Sequence, residues 1–596
     1  MIYKMSYNIV PLKPYRFKDN EMKIQEDREF AVYEGPAEVS FKNFTTTSFS
    51  NTSLQFSTPP PSPGIIVSRK VYLRLRMLIT FTGVDSGKPL LQPGFDAPRA
   101  FPLSNIIDTL SCTINDNSAS INLSDLFSAL VRYNTDYKTR EYEYSETPHM
   151  LDQAQEYGSL IGGNRNPLAF YSDNPYEVPR GSFPFRIVTN TNTSATVEVE
   201  FCEPIFLSPW LFGCGTFPGF IGVQNMSWNF TLTGNQGLVW SHASDRGNWG
   251  VPADYTNITN VSYDIQSVPS LLFKYLTPKE IQRLPESVSY SLFLTQRYPT
   301  NFSTTLGAYR TGTPSNSALI QSNNIQLQSI PKRIYIFARR NNQERDHTTT
   351  DTFLAINQIT VNWNNRSGLL SSASQQDLYN MSKENGLCLS WEQFSGGPIY
   401  NNTFDDAIAP ATNRSGTVGS VVCIQMGKDI GLDSSQCPGM LGTYQLQINV
   451  NVTNVANEEV VNPTLYIVAV SEGTWSVLQN RSVSQVGVVS HKDVLDASLM
   501  PELDPMLIDG YYGGNFLSGL KNFGENVLKG VEKVLPYAET AAQVAGPLLP
   551  LLAAGKGKKK KGGLMVAGSN YNLDTNDNWL GGRKMRKDTV RKRLMK

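Results

Sequence analysis

The sequence predicts an all-β protein made of two consecutive antiparallel sandwiches, and three observations predict it. The 596 residues are 40% apolar and only 17% charged. Asn, Ser, Thr, Gly and Pro dominate the remainder, a mixture that suits short strands and polar turns better than long helices. Apolar and polar residues alternate along many short segments, the period of a half-buried strand. The length also exceeds what one ordinary hydrophobic core supports, and an open twisted sheet seldom holds more than about ten strands.

Taken in order, residues 1–35 are charged and irregular and read as an N-terminal arm. Residues 36–265 read as the first sandwich and 266–500 as the second. TPPPSPG (Thr58 to Gly64) must be a loop, because proline offers no ladder donor. VYLRLRMLITFTG, from Val71, alternates as a strand. After two further strands, a short helix follows Leu123, with Ser124 as its cap and Leu126, Phe127, Leu130 and Val131 on one face. Residues 141–181, rich in Tyr, Pro and Asn, form a long surface loop. Val197, Val199 and Phe201 alternate with Glu198 and Glu200, and Met226, Trp228 and Phe230 share one face of another strand. The second series repeats this grammar, with strands from Val288, Asn323 and Phe353, a helix in SQQDLYNMSKENG, a second long loop at 391–436, and strands from Tyr444 and Pro463.

Charge is partitioned. The net charge is zero, yet residues 556–596 hold 13 Lys/Arg against 3 Asp/Glu, which leaves an acidic body with a basic tail, the pattern of a protein that touches polyanion at one end. The two basic clusters comprise Lys556, Lys558, Lys559, Lys560 and Lys561, then Arg583, Lys584, Arg586, Lys587, Arg591, Lys592 and Arg593. Such runs bind phosphate backbones by counterion release, without reading sequence; a nuclear-localisation or solubilising role is the alternative. Upstream, within the tail segment 501–555, Phe516, Leu520, Phe523, Val527, Val531 and Val534 recur at helical spacing, an amphipathic helix for a membrane surface or for the inner wall of an assembly.

No chemistry finds an anchor. His149, His242, His347 and His491 show no metal-ligand spacing, Asp405-Asp406 and Glu458-Glu459 read as solvated loop carboxylates, and neither a phosphate loop nor a nucleophile turn is present. No cofactor is expected. The six cysteines lack CxxC spacing and read as reduced. Without a signal-peptide run at the start, the Asn-x-Ser/Thr triplets, among them Asn43, Asn192, Asn229, Asn301, Asn365 and Asn451, read as chance products of composition, and synthesis in the cytosol is expected. The most apolar window, from Val534, is broken by Pro536, Glu539, Pro547 and Pro550 and does not read as a membrane span.

Three segments carry a resemblance: SIPKRIYIFARR, ITVNWNNRSGLLSSASQQDLYNMSKENGL, and EPIFLSPW with GFIGVQNMSWNF. They are similar to stretches of the double jelly-roll major capsid proteins of virophages and Polinton-like viruses, relatives of adenovirus hexon. The likeness spans roughly residues 40–500. It implies two eight-stranded jelly rolls with short helical insertions; the helical and basic C-terminal tail beyond residue 500 is read from its own residues. It further implies a homotrimer forming a pseudo-hexagonal capsomer, an icosahedral shell, contacts with minor capsid and penton proteins, and a place in the virion, with nuclear assembly open. In SIPKRIYIFARR, Ile334, Ile336 and Ala338 point one way and Tyr335, Phe337 and Arg339 the other, as in a strand lying between a sandwich interior and a neighbouring domain. The Asn-Asn-Arg-Ser-Gly run from Asn364 suits a turn into the helical insertion. The rival reading is a glycan-binding spike or fibre, with Trp240, Trp249, Trp391 and Trp475 near loops as stacking platforms.

Overall fold

The computed structural model describes residues 38–489, interrupted within loops, chiefly at 153–180, 211–218, 243–257, 278–286 and 402–411, together with the backbone of a hairpin that pairs Tyr15–Asp19 with Ile24–Phe30. That hairpin corrects the reading of 1–35 as wholly irregular. The basic clusters and the segment 516–534 lie outside the described residues.

Residues 38–489 hold two sandwiches. In the first, one sheet runs in the order Asn117–Asn122, Ile107–Ile114, Met226–Leu232, Ser53–Thr58 and Ser48–Ser50. The facing sheet has eight strands, centred on Ser194–Pro204, Tyr72–Gly83 and Ser270–Thr277. In the second sandwich, one sheet runs Arg366–Leu369, Ala355–Trp363 and Leu441–Thr453, with Ser317–Gln321 and Ile325–Ser329 sharing the far edge. The other runs Ser287–Asn301, Pro463–Leu478, Arg333–Arg340 and Val422–Gln425. The plan repeats. In the first-described sheet of each sandwich, the strand that precedes the helical insertion sits at an edge, next to its chain predecessor, then a late strand, then an early one. All these sheet pairings are antiparallel.

Alternation places the cores. Leu73, Leu75, Met77, Ile79 and Phe81 are buried while Arg74 and Arg76 are exposed between them. Val197, Val199 and Phe201 pair with Ile79, Met77 and Leu75 in the neighbouring strand. Facing them lie Leu54, Phe56, Leu110, Trp228 and Phe230. In the second sandwich, Leu446, Ile448, Val450 and Val452 line one face of their strand and are fully buried. Each such side chain contributes about 1.5–3 kcal/mol by leaving water.

Among the described residues five short helices decorate the strands: α1 (Pro102–Ile106), α2 (Leu123–Asn134), α3 (Tyr137–Glu143), α4 (Gln375–Glu384) and α5 (Trp391–Ser395). The apolar stripe expected for α2 is present, but burial extends nearly all round the helix, because it lies between the two sandwiches. Ser124 is not its cap. Asn122 holds that position without a side-chain bond, and the Ser124 hydroxyl donates to Asp108 Oδ1 at 2.7 Å. By contrast α4 starts on a complete capping box between Ser374 and Asp377.

Two boundaries move. Strand Ser270–Thr277, assigned by sequence to the second sandwich, hydrogen-bonds to Tyr72–Gly83 and Glu38–Thr45 in the first. The first sandwich extends through Thr277 and does not end at 265. The Asn364 turn leads first into another strand, Arg366–Leu369, and only then to α4. Asn364 has φ 51°, a left-handed conformation that Asn tolerates better than most residues.

Phe127 of α2 packs edge-on against Phe101 and at a tilt against Phe206, with centroids 5.3 and 5.1 Å away. Phe127→Ala should therefore lower unfolding free energy by about 3–5 kcal/mol in a urea titration of the full chain; a loss below about 1 kcal/mol would mean that this aromatic cluster does not anchor the helix.

Candidate functional site

The strand Arg333–Arg340 is buried on both faces, as its two apolar faces predict. Its outer face meets α2 of the first sandwich: Tyr335 packs edge-on against Tyr133, centroids 4.7 Å apart. Arg339, fully buried, reaches the same helix. Its guanidinium donates to the Ser124 carbonyl at 2.8 Å and the Ser128 hydroxyl at 3.3 Å, and lies over the Tyr466 ring. Asp125 of α2 accepts from the Tyr466 hydroxyl at 3.1 Å and contacts Asn342 and Arg297 of the second sandwich.

The following loop, 341–354, closes a second knot. Asp351 is bridged by Arg345 at 3.0 Å, by Arg132 of α2 at 3.1 Å and, more loosely, by Arg99 at 3.9 Å. Arg99 also donates to the carbonyls of Thr349 at 2.6 Å and Asp346 at 3.2 Å. Asp152 accepts from Arg99 and from the Asp351 amide at 2.9 Å. Here two sandwiches share one ionic network. Burial pushes the Asp351 carboxyl up, but Arg345, Arg132, Arg99 and Arg339 outweigh it and hold the group well below the usual carboxylate range. Asp152 moves the other way, raised by burial and by the charge of Asp351. Beside the knot, the His242 amide donates to the His347 carbonyl at 2.8 Å, and His347 Nε2 lies 2.9 Å from the Ile258 carbonyl. Burial lowers the pKa of His347.

Smaller contacts extend the seam. The Tyr290 hydroxyl donates to the Gly219 carbonyl at 2.6 Å with Arg69 over its ring. At the far end, Asp116 and Asn117 hold Ser482 and Ser484 at 2.7 and 2.9 Å.

The sequence reading of the Arg339 side of its strand anticipated a neighbour, but the network itself was not found. Its members are single charges at 99, 125, 132, 152, 345 and 351, scattered over about 250 residues of chain. The only local signal is the charged run ARRNNQERD directly after an apolar strand. Trp240 and Trp475 are core residues, 1% exposed, which removes them as sugar platforms; Trp391 on α5 is partly exposed against Tyr379 and Phe394. Trp249, His491, Asp405-Asp406 and Glu458-Glu459 lie outside the described residues. His149, His242 and His347 are buried, and no group of three metal-ligating side chains occurs among the described residues. Cys112, Cys202, Cys388, Cys423 and Cys437 are free thiols. No helix among the described residues is long and apolar enough to cross a membrane.

A family model described as the Sputnik virophage major capsid protein first domain matches residues 12–276, and one described as the major capsid protein V20 C-terminal domain matches 296–473. The capsid protein V20 of Sputnik virophage is 33% identical over 594 residues, 95% of this chain and 98% of that protein. The chain belongs to the virophage major capsid protein family. The cryo-EM structure of Sputnik virophage at 3.5 Å superposes with a TM-score of 0.71 at 32% identity, covering 85% of this chain and 100% of that one. The mavirus major capsid protein shares the fold, with a TM-score of 0.63 at 16% identity over 78% and 93% of the two chains. The fold is a double jelly roll, and the role is structural: this virophage-type capsid protein forms a shell with other capsid subunits, and its place is the virion.

Asp351→Asn should cost about 3–5 kcal/mol, because it strands buried guanidiniums. The wild-type contribution is complete above the ordinary aspartate value of 3.8 and is lost as pH falls below it. Acid unfolding curves should therefore be steeper below about pH 4 for the wild type than for Asp351→Asn; parallel curves would refute the assignment. A second titrating group is Glu203. Burial raises its pKa to about 7, against hydrogen bonds from the Ser104 hydroxyl and the amides of Leu103 and Ser104. A raised acid favours the folded state most at low pH and loses that advantage as pH rises from 4.5 through about 7. Urea midpoints for the wild type should thus fall relative to Glu203→Gln between about pH 5 and pH 8, and a constant difference would contradict the titration.

Proposed function

We propose that this virophage-type capsid protein trimerises into pseudo-hexagonal capsomers that tile an icosahedral shell, and that it performs no catalysis. The observation that carries this reading is the repeated sandwich plan joined by the buried seam. Two like blocks locked in one chain present six in a trimer, the number a hexagonal tile needs. The ionic network supports a rigid block, since breaking it would leave uncompensated charge in the interior.

In this reading minor capsid and penton proteins are further partners, filling positions a hexagonal tile cannot. The basic clusters from Lys556 to Lys561 and from Arg583 to Arg593 contact the genome. The amphipathic segment from Phe516 to Val534 docks on the inner shell wall. Synthesis is in the host cytoplasm.

Purified full-length protein should run as a trimer and give shells by negative-stain microscopy; a monomer under every assembly condition would overturn the reading. Deletion of 556–596 should leave trimers intact and abolish salt-sensitive DNA binding. Unchanged binding at about 50 mM salt would remove the genome contact.

A further inference from the structure

Each sandwich turns one sheet face outward that carries almost no charge. In the second sandwich, strand Leu441–Thr453 buries Tyr444, Leu446, Ile448, Val450 and Val452 and turns Gln445, Gln447, Asn449, Asn451 and Thr453 out. Its partners Ser317–Gln321, Ile325–Ser329 and Ala355–Trp363 contain no Lys, Arg, Asp or Glu; the single ionised residue in the sheet is Arg366, at the edge, bonded to the Gly431 carbonyl.

The equivalent sheet of the first sandwich shows the same property in hydroxyl form. Strand Met226–Leu232 turns out Ser227, Asn229 and Thr231, and Ile107–Ile114 turns out Thr109, Ser111 and Thr113. Its one charged residue, Asp108, is engaged by Ser124. Charged residues make up 17% of the whole chain. The opposite, eight-stranded sheet keeps a normal solvated face, where Arg74, Arg76, Arg186, Glu198 and Glu200 form a cross-strand ion ladder.

Neutrality on two large faces is not what solvation favours. Exposed sheet faces ordinarily carry interspersed charges that keep copies apart. A face that becomes buried against a partner loses its charges, because desolvating them is costly, while hydroxyls and amides exchange water for partner hydrogen bonds at little cost.

We infer that these two charge-free faces are the surfaces on which a second copy of this chain docks during assembly. The occupant follows from the chemistry. Nucleic acid would call for cations, and a strongly charged protein would find no counter-charge. Another copy offers the same neutral lattice, hydroxyl or amide, whose donors and acceptors match in either combination. The triplet at Asn229 lies near the middle of one face and that at Asn451 towards the end of the central strand of the other, so a glycan at either would block the contact.

The inference rests on the assembly reading, and its test separates the two. Full-length Asn229→Lys and Asn451→Lys, with Asn229→Asp and Asn451→Asp as the opposite-sign pair, are compared with Val188→Lys, an exposed position on the charged sheet. Wild type and Val188→Lys should give equal particle yields by mass photometry and negative stain. The variants on the neutral faces should keep the wild-type urea midpoint yet lose at least about tenfold in particle yield, each face scored by whichever charge sign retains that midpoint. Wild-type yields from both faces would overturn the inference, as would an equal loss from Val188→Lys. If wild type forms no shells, the assembly reading fails. The faces are then judged by sedimentation of smaller oligomers, where charge should shift the distribution towards monomer and no shift overturns the inference.

Discussion

One carboxylate organises the middle of this molecule. Asp351, on a loop of the second sandwich, is held by Arg345 from its own loop and by Arg132 and Arg99 from the first sandwich. A buried charge is tolerated only where its partners are fixed, so this arrangement permits few relative positions of the two sandwiches. Hydrophobic burial alone would not do this. Apolar contact is non-directional and would allow the sandwiches to slide, whereas each guanidinium demands a particular angle and distance. The rest of the seam follows from that fixed position: Arg339 threading onto the carbonyl of Ser124, Tyr335 against Tyr133, and His347 against the strand edge at Ile258.

The distribution of charge over the rest of the chain then has a consistent logic. Many ionised groups are locked in the seam or arranged in a ladder on the solvated eight-stranded sheet. The sheets that contain Met226–Leu232 and Leu441–Thr453 carry hydroxyls and amides instead.

Much of the fold was legible because strand periodicity is local. Alternation in VYLRLRMLITFTG or YQLQINVNVT can be read without knowing what the strand pairs with, and the helix in SQQDLYNMSKENG is likewise local to its own segment. Other features depended on partners far away in sequence. Strand Ser270–Thr277 looks like any other strand, and only its pairing with Tyr72–Gly83 assigns it to the first sandwich. Ser124 has the right residue type for a cap, yet Asp108, paired in space and not in sequence, captures its hydroxyl. Trp240 lies next to a loop but points into the core against Phe81, centroids 4.7 Å apart. The seam was the least legible part, because single charges carry no periodicity and resemble solvated residues until the fold brings them together.

The central claim is that the seam makes the two sandwiches one mechanical unit. The most direct test is equilibrium urea unfolding of the full chain followed by two probes: fluorescence from Trp228 in the first sandwich and from Trp363 in the second, each isolated by replacing the other tryptophans with Phe. Coupling through the buried network predicts coincident transitions with one midpoint and one slope. Two separated transitions, with one sandwich melting while the other stays folded, would contradict the account.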